Sequence, residues 1–212
     1  MTVVGGENML KLRQIFRKGD RPMEVREPPA NYGEYRDLPD DAPRYEIIEG
    51  VGYLTPSPGG RHQIVSANLQ FHLHRFVRTN RLGRVFDAPF DVVFSERDVV
   101  QPDLLFVPSE RRRIIRERGV FGPPDLVVEI VSPTNAQRDF QDKLKLYRCY
   151  GVREYWIVDI ENRSVGLWVS GEGPLDTYRT VTGDNFVDSA VLAGFSVSLA
   201  EIFDGMEEVT GD

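Results

Sequence analysis

The sequence predicts a mixed α/β domain in which a central sheet is flanked by two helices. Val99–Val107 and Asp125–Ser132 are dense in Leu and Val with little polar alternation, the pattern of strands buried on both faces. Arg61–Thr79 and Ala136–Tyr150 repeat their apolar residues at helical spacing, so two long helices are available to cover such a sheet. Shorter strand-like runs on either side supply the rest.

The chain of 212 residues fits one domain, or one domain with a short appendage. Its 41% hydrophobic and 28% charged content is that of a globular domain, not of a disordered chain. No apolar run approaches the roughly 20 residues that span a bilayer. The N-terminus lacks the apolar core of a signal peptide, so a cytoplasmic location and no membrane partner are expected. The single Cys149 excludes an internal disulfide framework and a Cys-rich zinc site, and reads as a reduced thiol on the second long helix. A net charge of −7 argues against a generally basic nucleic-acid binder. It leaves room for a nuclease whose acids hold metal and whose basic residues gather on one face.

Taken in order, residues 1–31 read as an N-terminal arm. Met9–Lys18 suits a short basic helix, and the stretch from Gly19 to Asp41 is rich in Pro, Gly and charge. The domain proper is expected over 32–212. Tyr45–Ile48 and Val51–Thr55 flank Glu49-Gly50 as a hairpin, with Glu46 directed either to solvent or to a site. The loop TPSPGG at 55–60 leads into the first long helix, with His62 in its first turn. There a neutral imidazole can orient a water or touch a phosphate, or it can be purely structural. His72 and His74 face different sides, so no His-His zinc pair emerges.

Gly83–Ala88 and Phe90–Ser95 read as two strands of a meander leading to Pro102-Asp103. Arg111, Arg112, Arg113, Arg116 and Arg118 follow, as a solvated helix face or as a phosphate-tracking patch. REYWIVDI at 153–160 is a further buried strand, with Tyr155 and Trp156 as core and interface aromatics. Val165–Val169 and Thr177–Thr182 form a C-terminal antiparallel set, and Leu199–Phe203 a closing helical turn. No repeat, P-loop or dinucleotide fingerprint is present.

The chemistry lies in the two apolar runs, because each carries a carboxylate: Asp103 in the first and Glu129 in the second. Singly, Asp103 can end a strand in a Pro-Asp turn and Glu129 can pair with an Arg. Together, unpaired and buried, they would repel each other or give up charge unless a cation sat between them. An oxygen-only pair suits magnesium or manganese, which need few protein carboxylates. The helix after Ser132-Pro133, capped by Thr134 or Asn135, carries Phe140, Leu144 and Tyr147 as its apolar stripe. Asp139, Lys143 and Tyr147 are four apart and stack along one side. Lys143 either pairs on the surface with Asp139 or reaches back to the strand carboxylates.

These residues resemble the PD-(D/E)XK nuclease superfamily in Pro102-Asp103, Glu129-Ile130-Val131 and the downstream D-x-x-x-K-x-x-x-Y. YEIIEG at 45–50, His62, QPDLLFV, PDLVVEIVSP, RDFQDKLKLY, GVREYWIVD at 151–159 and LAGFSVSLAEIF at 192–203 resemble its Uma-two family of restriction endonucleases. The likeness runs over about 32–203. It implies a restriction-endonuclease-like fold, a mixed central sheet between helices, and magnesium- or manganese-dependent hydrolysis of a duplex DNA phosphodiester. Asp103 and Glu129 are the implied metal ligands, the Val131 carbonyl a further oxygen, and Glu46 an acid from an early element. Gln101 and His62 stand beside them as supporting or phosphate-contacting candidates. The superfamily lysine lies two residues after the Glu, where this chain has Val131, and the resemblance implies that Lys143 supplies the ammonium from the helix.

Two other readings remain open on sequence: a non-cutting DNA-binding or assembly module on the same fold, and a two-carboxylate glycosidase. The latter lacks an aromatic sugar platform near either acid. Exposed edges beside REYWIVDI, and the need to cut both strands of a duplex, predict a homodimer.

Overall fold

The computed structural model describes residues 27–39, 41–131 and 136–209, with the backbone alone for 136–140. The Met9–Lys18 helix, the Thr134 or Asn135 cap, and the side chains of Asp139 and Phe140 therefore lie outside the described residues.

Two six-stranded sheets pack face to face. The first runs β2-β1-β5-β4-β8-β7, the second β12-β11-β10-β9-β6-β3, in which β9 and β10 are parallel and the other neighbours antiparallel. In chain order these are β1 Tyr45–Ile48, β2 Val51–Leu54, β3 Gly83–Asp87, β4 Asp91–Ser95, β5 Asp98–Val100, β6 Leu104–Pro108 and β7 Ile115–Arg116. The series continues with β8 Gly119–Phe121, β9 Leu126–Val131, β10 Glu154–Asp159, β11 Ser164–Val169 and β12 Thr177–Val181. A small hairpin of β13 Phe186–Asp188 and β14 Ser196–Ser198 follows. The helices are α1 Tyr32–Arg36, α2 Gly60–Thr79, α3 Ala136–Tyr150 and α4 Leu199–Ile202.

Helix α2 presents Val65, Leu69, Leu73 and Val77, each four residues after the last, and all four are buried against the second sheet. That face is supplied by Leu104, Phe106, Leu126, Val128, Trp156 and Val158. Each of these side chains contributes roughly 1.5–3 kcal/mol by leaving water. The opposite face of the same sheet, with Leu105, Val127, Tyr155 and Ile157, packs on Leu144, Leu146 and Tyr147 of α3 and on the inner side of the first sheet. Strands β9 and β10 are therefore covered on both faces, which explains their lack of polar alternation. Because they are parallel, the chain must cross over between them, and α3 is that crossover.

Several expectations are corrected. Val99–Val107 is not one strand: it splits into β5 and β6, which belong to different sheets. Pro102 has no N–H to give to a ladder, so the chain leaves one sheet at Gln101-Pro102-Asp103 and enters the other. The meander is broken for the same reason, since β3 pairs with β6 while β4 pairs with β5. The arginine-rich segment is a single 3₁₀ stretch, Ser109–Ile114, followed by the short hairpin of β7 and β8. Strand β10 lies between β9 and β11, and the edge on that side of the sheet is β12, the last strand of the C-terminal antiparallel set. The expected hairpin is present, and Glu49 and Gly50 turn it with φ of 53° and 79°. Both values lie in the left-handed region that two-residue hairpin turns require. Among the described residues, no helix is long and apolar enough to cross a membrane.

Candidate active site

Side-chain alternation decides which groups can meet. In β9, Leu126, Val128 and Ile130 pack on the α2 side, which sends Val127, Glu129 and Val131 towards α3. In β1, Ile47 packs outward against Val99 and Val93, so Glu46 and Ile48 turn inward between the sheets. Helix α3 then lays Lys143 and Tyr147, one turn apart, over Glu129. The Lys143 ammonium lies 2.8 Å from Glu129 Oε1 and 2.9 Å from Glu46 Oε1, and the Tyr147 hydroxyl donates to Glu129 Oε1 at 2.7 Å. All four residues are buried.

One ammonium is thus shared by two buried carboxylates. Buried ions are stable only when paired and hydrogen-bonded. The backbone N–H of Gln101 adds such a bond to Glu46 Oε1 at 3.0 Å. Burial, then the Glu129 carboxylate beside it, pushes Tyr147 well above the ordinary tyrosine range. Its hydroxyl therefore stays protonated and remains a donor.

Asp103 stands at the more open side of this cluster. Its Oδ2 accepts the backbone N–H of Ile130 at 2.7 Å, which ties it to the strand of Glu129. His62 Nε2, from the first turn of α2, lies 3.2 Å from both carboxylate oxygens. The Asp103 side chain is 18% exposed against 5% for Glu129 and 1% for Glu46, so the acids are graded from solvent inward. A cleft of ≈ 570 Å³ is lined by Glu46, His62, Gln101, Asp103, Glu129 and Lys143, together with Arg44, Asp87 and the loop 55–59. The sequence-predicted residues thus come together from two sheets and two helices, although Glu46 and Lys143 are 97 positions apart.

A metal fits the donor set. The groups available are carboxylate oxygens and the side-chain oxygen of Gln101, which is buried without a hydrogen-bond partner among the described residues. Hard oxygen donors of this kind suit magnesium or manganese better than zinc. Among the described residues no group of three His, Cys, Asp or Glu is gathered as a cage. Magnesium does not need one, since it usually keeps several waters and takes one or two carboxylates. Ile130, not Val131, lines the cleft. Val131 is packed into the apolar cluster beneath α3, so a backbone oxygen from this strand comes more naturally from Ile130.

Some neighbours were not legible in advance. Gln101 Nε2 donates to Tyr35 Oη and to Asp91 Oδ1, each at 2.8 Å, and Tyr35 donates to Asp91 at 3.0 Å. The N-terminal helix is thereby tied to the residue that holds Glu46. Tyr147, which the spacing sets in line with Lys143 as well as in the apolar stripe, bonds Glu129 directly, a contact the sequence does not name. None of the five arginines from Arg111 to Arg118 lines the cleft. Arg111 pairs with Asp125 and donates to the Pro123 carbonyl at 2.7 Å, while Arg116 lies 4.1 Å over the Phe121 ring.

A family model described as Uma2, putative restriction endonuclease, matches residues 32–200. The chain belongs to the Uma2 family. Among solved structures, this Uma2 member is similar to a putative nuclease belonging to DUF820 from Anabaena variabilis. The TM-score is 0.71 at 21% identity, covering 84% of this chain and 99% of the other. At that identity the likeness establishes the fold, a mixed α/β nuclease-like architecture. No curated protein matches the chain. Restriction-endonuclease-like families generally use a divalent metal ion.

Proposed function

We propose that this chain is a magnesium- or manganese-dependent endonuclease that hydrolyses phosphodiester bonds of duplex DNA. The observation that carries the reading is the Lys143 ammonium seated between Glu46 and Glu129 at the inner end of a cleft bordered by Asp103. Asp103 and Glu129 hold the metal. When bound there, the ion supplies Lewis acidity that makes water nucleophilic near neutral pH and offsets the charge of the scissile phosphate. A water oxygen attacks phosphorus, the bond to one bridging oxygen breaks, and negative charge grows on the non-bridging oxygens. Lys143 stabilises that charge, or orients the attacking water, from a fixed position that needs no rearrangement during the step. Tyr147 and the Gln101 N–H restrain Glu129 and Glu46, and His62 and the Ile130 N–H restrain Asp103.

The test is conversion of supercoiled plasmid to nicked and linear forms with Mg2+ or Mn2+, compared with the same reaction in a chelator. Metal-dependent conversion is expected. DNA bound but left intact under every metal condition would sink the catalytic reading and leave a non-cutting module on the same fold. Cutting both strands is served by two sites related by a two-fold axis, so a homodimer is part of the proposal. A light-scattering mass of one 24.2 kDa chain at micromolar concentration counts against it.

A further inference from the structure

We propose that a second, arginine-lined groove beside the cleft seats the sugar-phosphate backbone of the DNA strand flanking the scissile phosphate; this rests on the endonuclease reading. The groove, ≈ 570 Å³, is lined by Tyr32, Tyr35, Arg36, Arg44, Asp91 and Arg118, with Asp37 at its rim. Arg44 lines both this groove and the catalytic cleft, so the two are neighbours. Arg44 is two positions before Glu46, about 6.6 Å along an extended chain. That is about twice the 3.4 Å rise per nucleotide of one duplex strand, which sets Arg44 within a few phosphates of the site of chemistry.

The charge of the groove runs against that of the whole chain, which is −7. Arg44 and Arg118 have no ion-pair partner among the described residues. Arg36 pairs with Asp37 at 3.0 Å, but both side chains are largely exposed, at 51% and 69%. Such a pair is worth little and is readily exchanged for a phosphate. Asp91 is held by Tyr35 and Gln101, and burial raises its carboxyl from the usual range. Three guanidinium groups thus gather on one rim of an otherwise acidic protein, and guanidinium suits phosphate because it can donate two parallel hydrogen bonds.

The groove is also fixed relative to the active site. Asn31 caps α1 by accepting the Glu34 N–H at 3.0 Å, and Tyr35 anchors the helix to Asp91 and Gln101. Gln101 in turn holds Glu46. A phosphate seated by Arg36 and Arg118 would therefore meet a rigid frame shared with the cleft. Contacts of this kind set the register of the strand and carry no base sequence.

The experiment uses the full chain and a fluorescein-labelled duplex, with anisotropy measured in chelator over a salt series and steady-state cleavage measured with Mn2+. Arg36→Ala and Arg118→Ala are compared with wild type and with Arg179→Ala, an arginine on β12 that donates to the Asp188 carbonyl. Each phosphate contact contributes a salt exponent of about 0.9, roughly an eightfold change in affinity at 0.1 M salt. Each groove variant is therefore expected to bind about eightfold more weakly and to lose about 0.9 from the salt exponent. KM should rise by a similar factor while kcat and the Arg179→Ala control stay at wild type. Arg118→Lys should keep most of the exponent, which separates lost charge from a disturbed fold. If wild type cleaves and both groove variants keep its affinity and exponent, the groove is overturned and the endonuclease reading stands. If nothing is cleaved but the variants lose affinity as described, the groove stands and the catalytic reading falls. Failure of wild type to bind any duplex overturns the groove.

Discussion

Glu129 and Glu154 lie on adjacent parallel strands, one on β9 and one on β10, and both are buried. Their surroundings nevertheless differ. Glu154 is fully enclosed, and its carboxylate accepts from Trp156 Nε1 at 2.7 Å, Ser189 Oγ at 2.7 Å and the Val191 N–H at 2.9 Å. Those donors are neutral and fixed, two of them on the C-terminal segment, so Glu154 stitches that segment to the sheet. Glu129 faces the other side of the sheet, borders a cleft, and takes an ammonium and a phenol from one helix. A carboxylate sealed among neutral donors is structural. One that shares a cation with a second acid at the end of a cleft can take up metal and substrate.

Breaking the comparison at its catalytic end should have the largest effect. Asp103→Asn and Glu129→Gln keep shape but lose charge, and cleavage in Mn2+ is expected to fall by at least about three powers of ten. Calorimetric Mn2+ affinity should fall with it, while both variants still fold, since each keeps the shape and hydrogen-bonding capacity of the side chain it replaces. Unchanged Mn2+ affinity in both variants would remove these residues from the metal site. Next comes Lys143→Met, which fills much the same space without charge. Turnover is expected to drop by about two to three powers of ten with Mn2+ still bound, since an ammonium is no ligand. Lys143→Ala is the cruder variant, as it also leaves Glu46 and Glu129 facing each other without their shared cation.

The structural end of the comparison is tested by Glu154→Ala. Three buried donors lose their acceptor, at about 1–3 kcal/mol each, so a loss of at least about 3 kcal/mol is expected. For a chain of this size that lowers the thermal midpoint by roughly 6–12 °C. Turnover per folded molecule, measured below the transition, should stay at wild type. A variant that unfolds normally but cannot cleave would show that Glu154 was misread.

In sequence the two glutamates look alike, each lone and acidic in a run of apolar residues. What set Glu129 apart was company at a distance: Asp103 before it and Lys143 after it. Glu154 gave no such sign, because its partners are a backbone N–H, a serine and an indole. Helices α2 and α3, the hairpin at Glu49-Gly50 and the buried strands were legible, since periodicity and turn chemistry are local. The division into two sheets was not. Period-two alternation says that a strand is buried without naming its neighbours, and only Pro102 hinted that Val99–Val107 must break. The arginine segment was legible only as charge, because composition does not show that Arg111 is taken up by Asp125 and Arg116 by Phe121. Tyr147 was set beside Lys143 by its spacing, but the partner of its hydroxyl was not legible, because a tyrosine in an apolar stripe reads as core.

The smallest expected effect sharpens the comparison within a single helix. Lys145 lies two residues beyond Lys143, about 200° further around α3. Its side chain is 73% exposed and pairs with Glu49, itself 66% exposed, in the hairpin turn. Hydrogen bonding to Glu49 raises the Lys145 ammonium above its usual range, yet an exposed pair of this kind is screened by water and adds little stability. Lys145→Ala should therefore leave kcat, Mn2+ affinity and the unfolding midpoint near wild type. The contrast with Lys143 rests on burial, because both lysines meet a glutamate from the β1–β2 hairpin region and only one does so out of water. If Lys145→Ala lost as much turnover as Lys143→Met, the effect would belong to the positive charge of the helix as a whole. The assignment of one buried ammonium to the phosphate would then be wrong, while the two-carboxylate metal site could still stand.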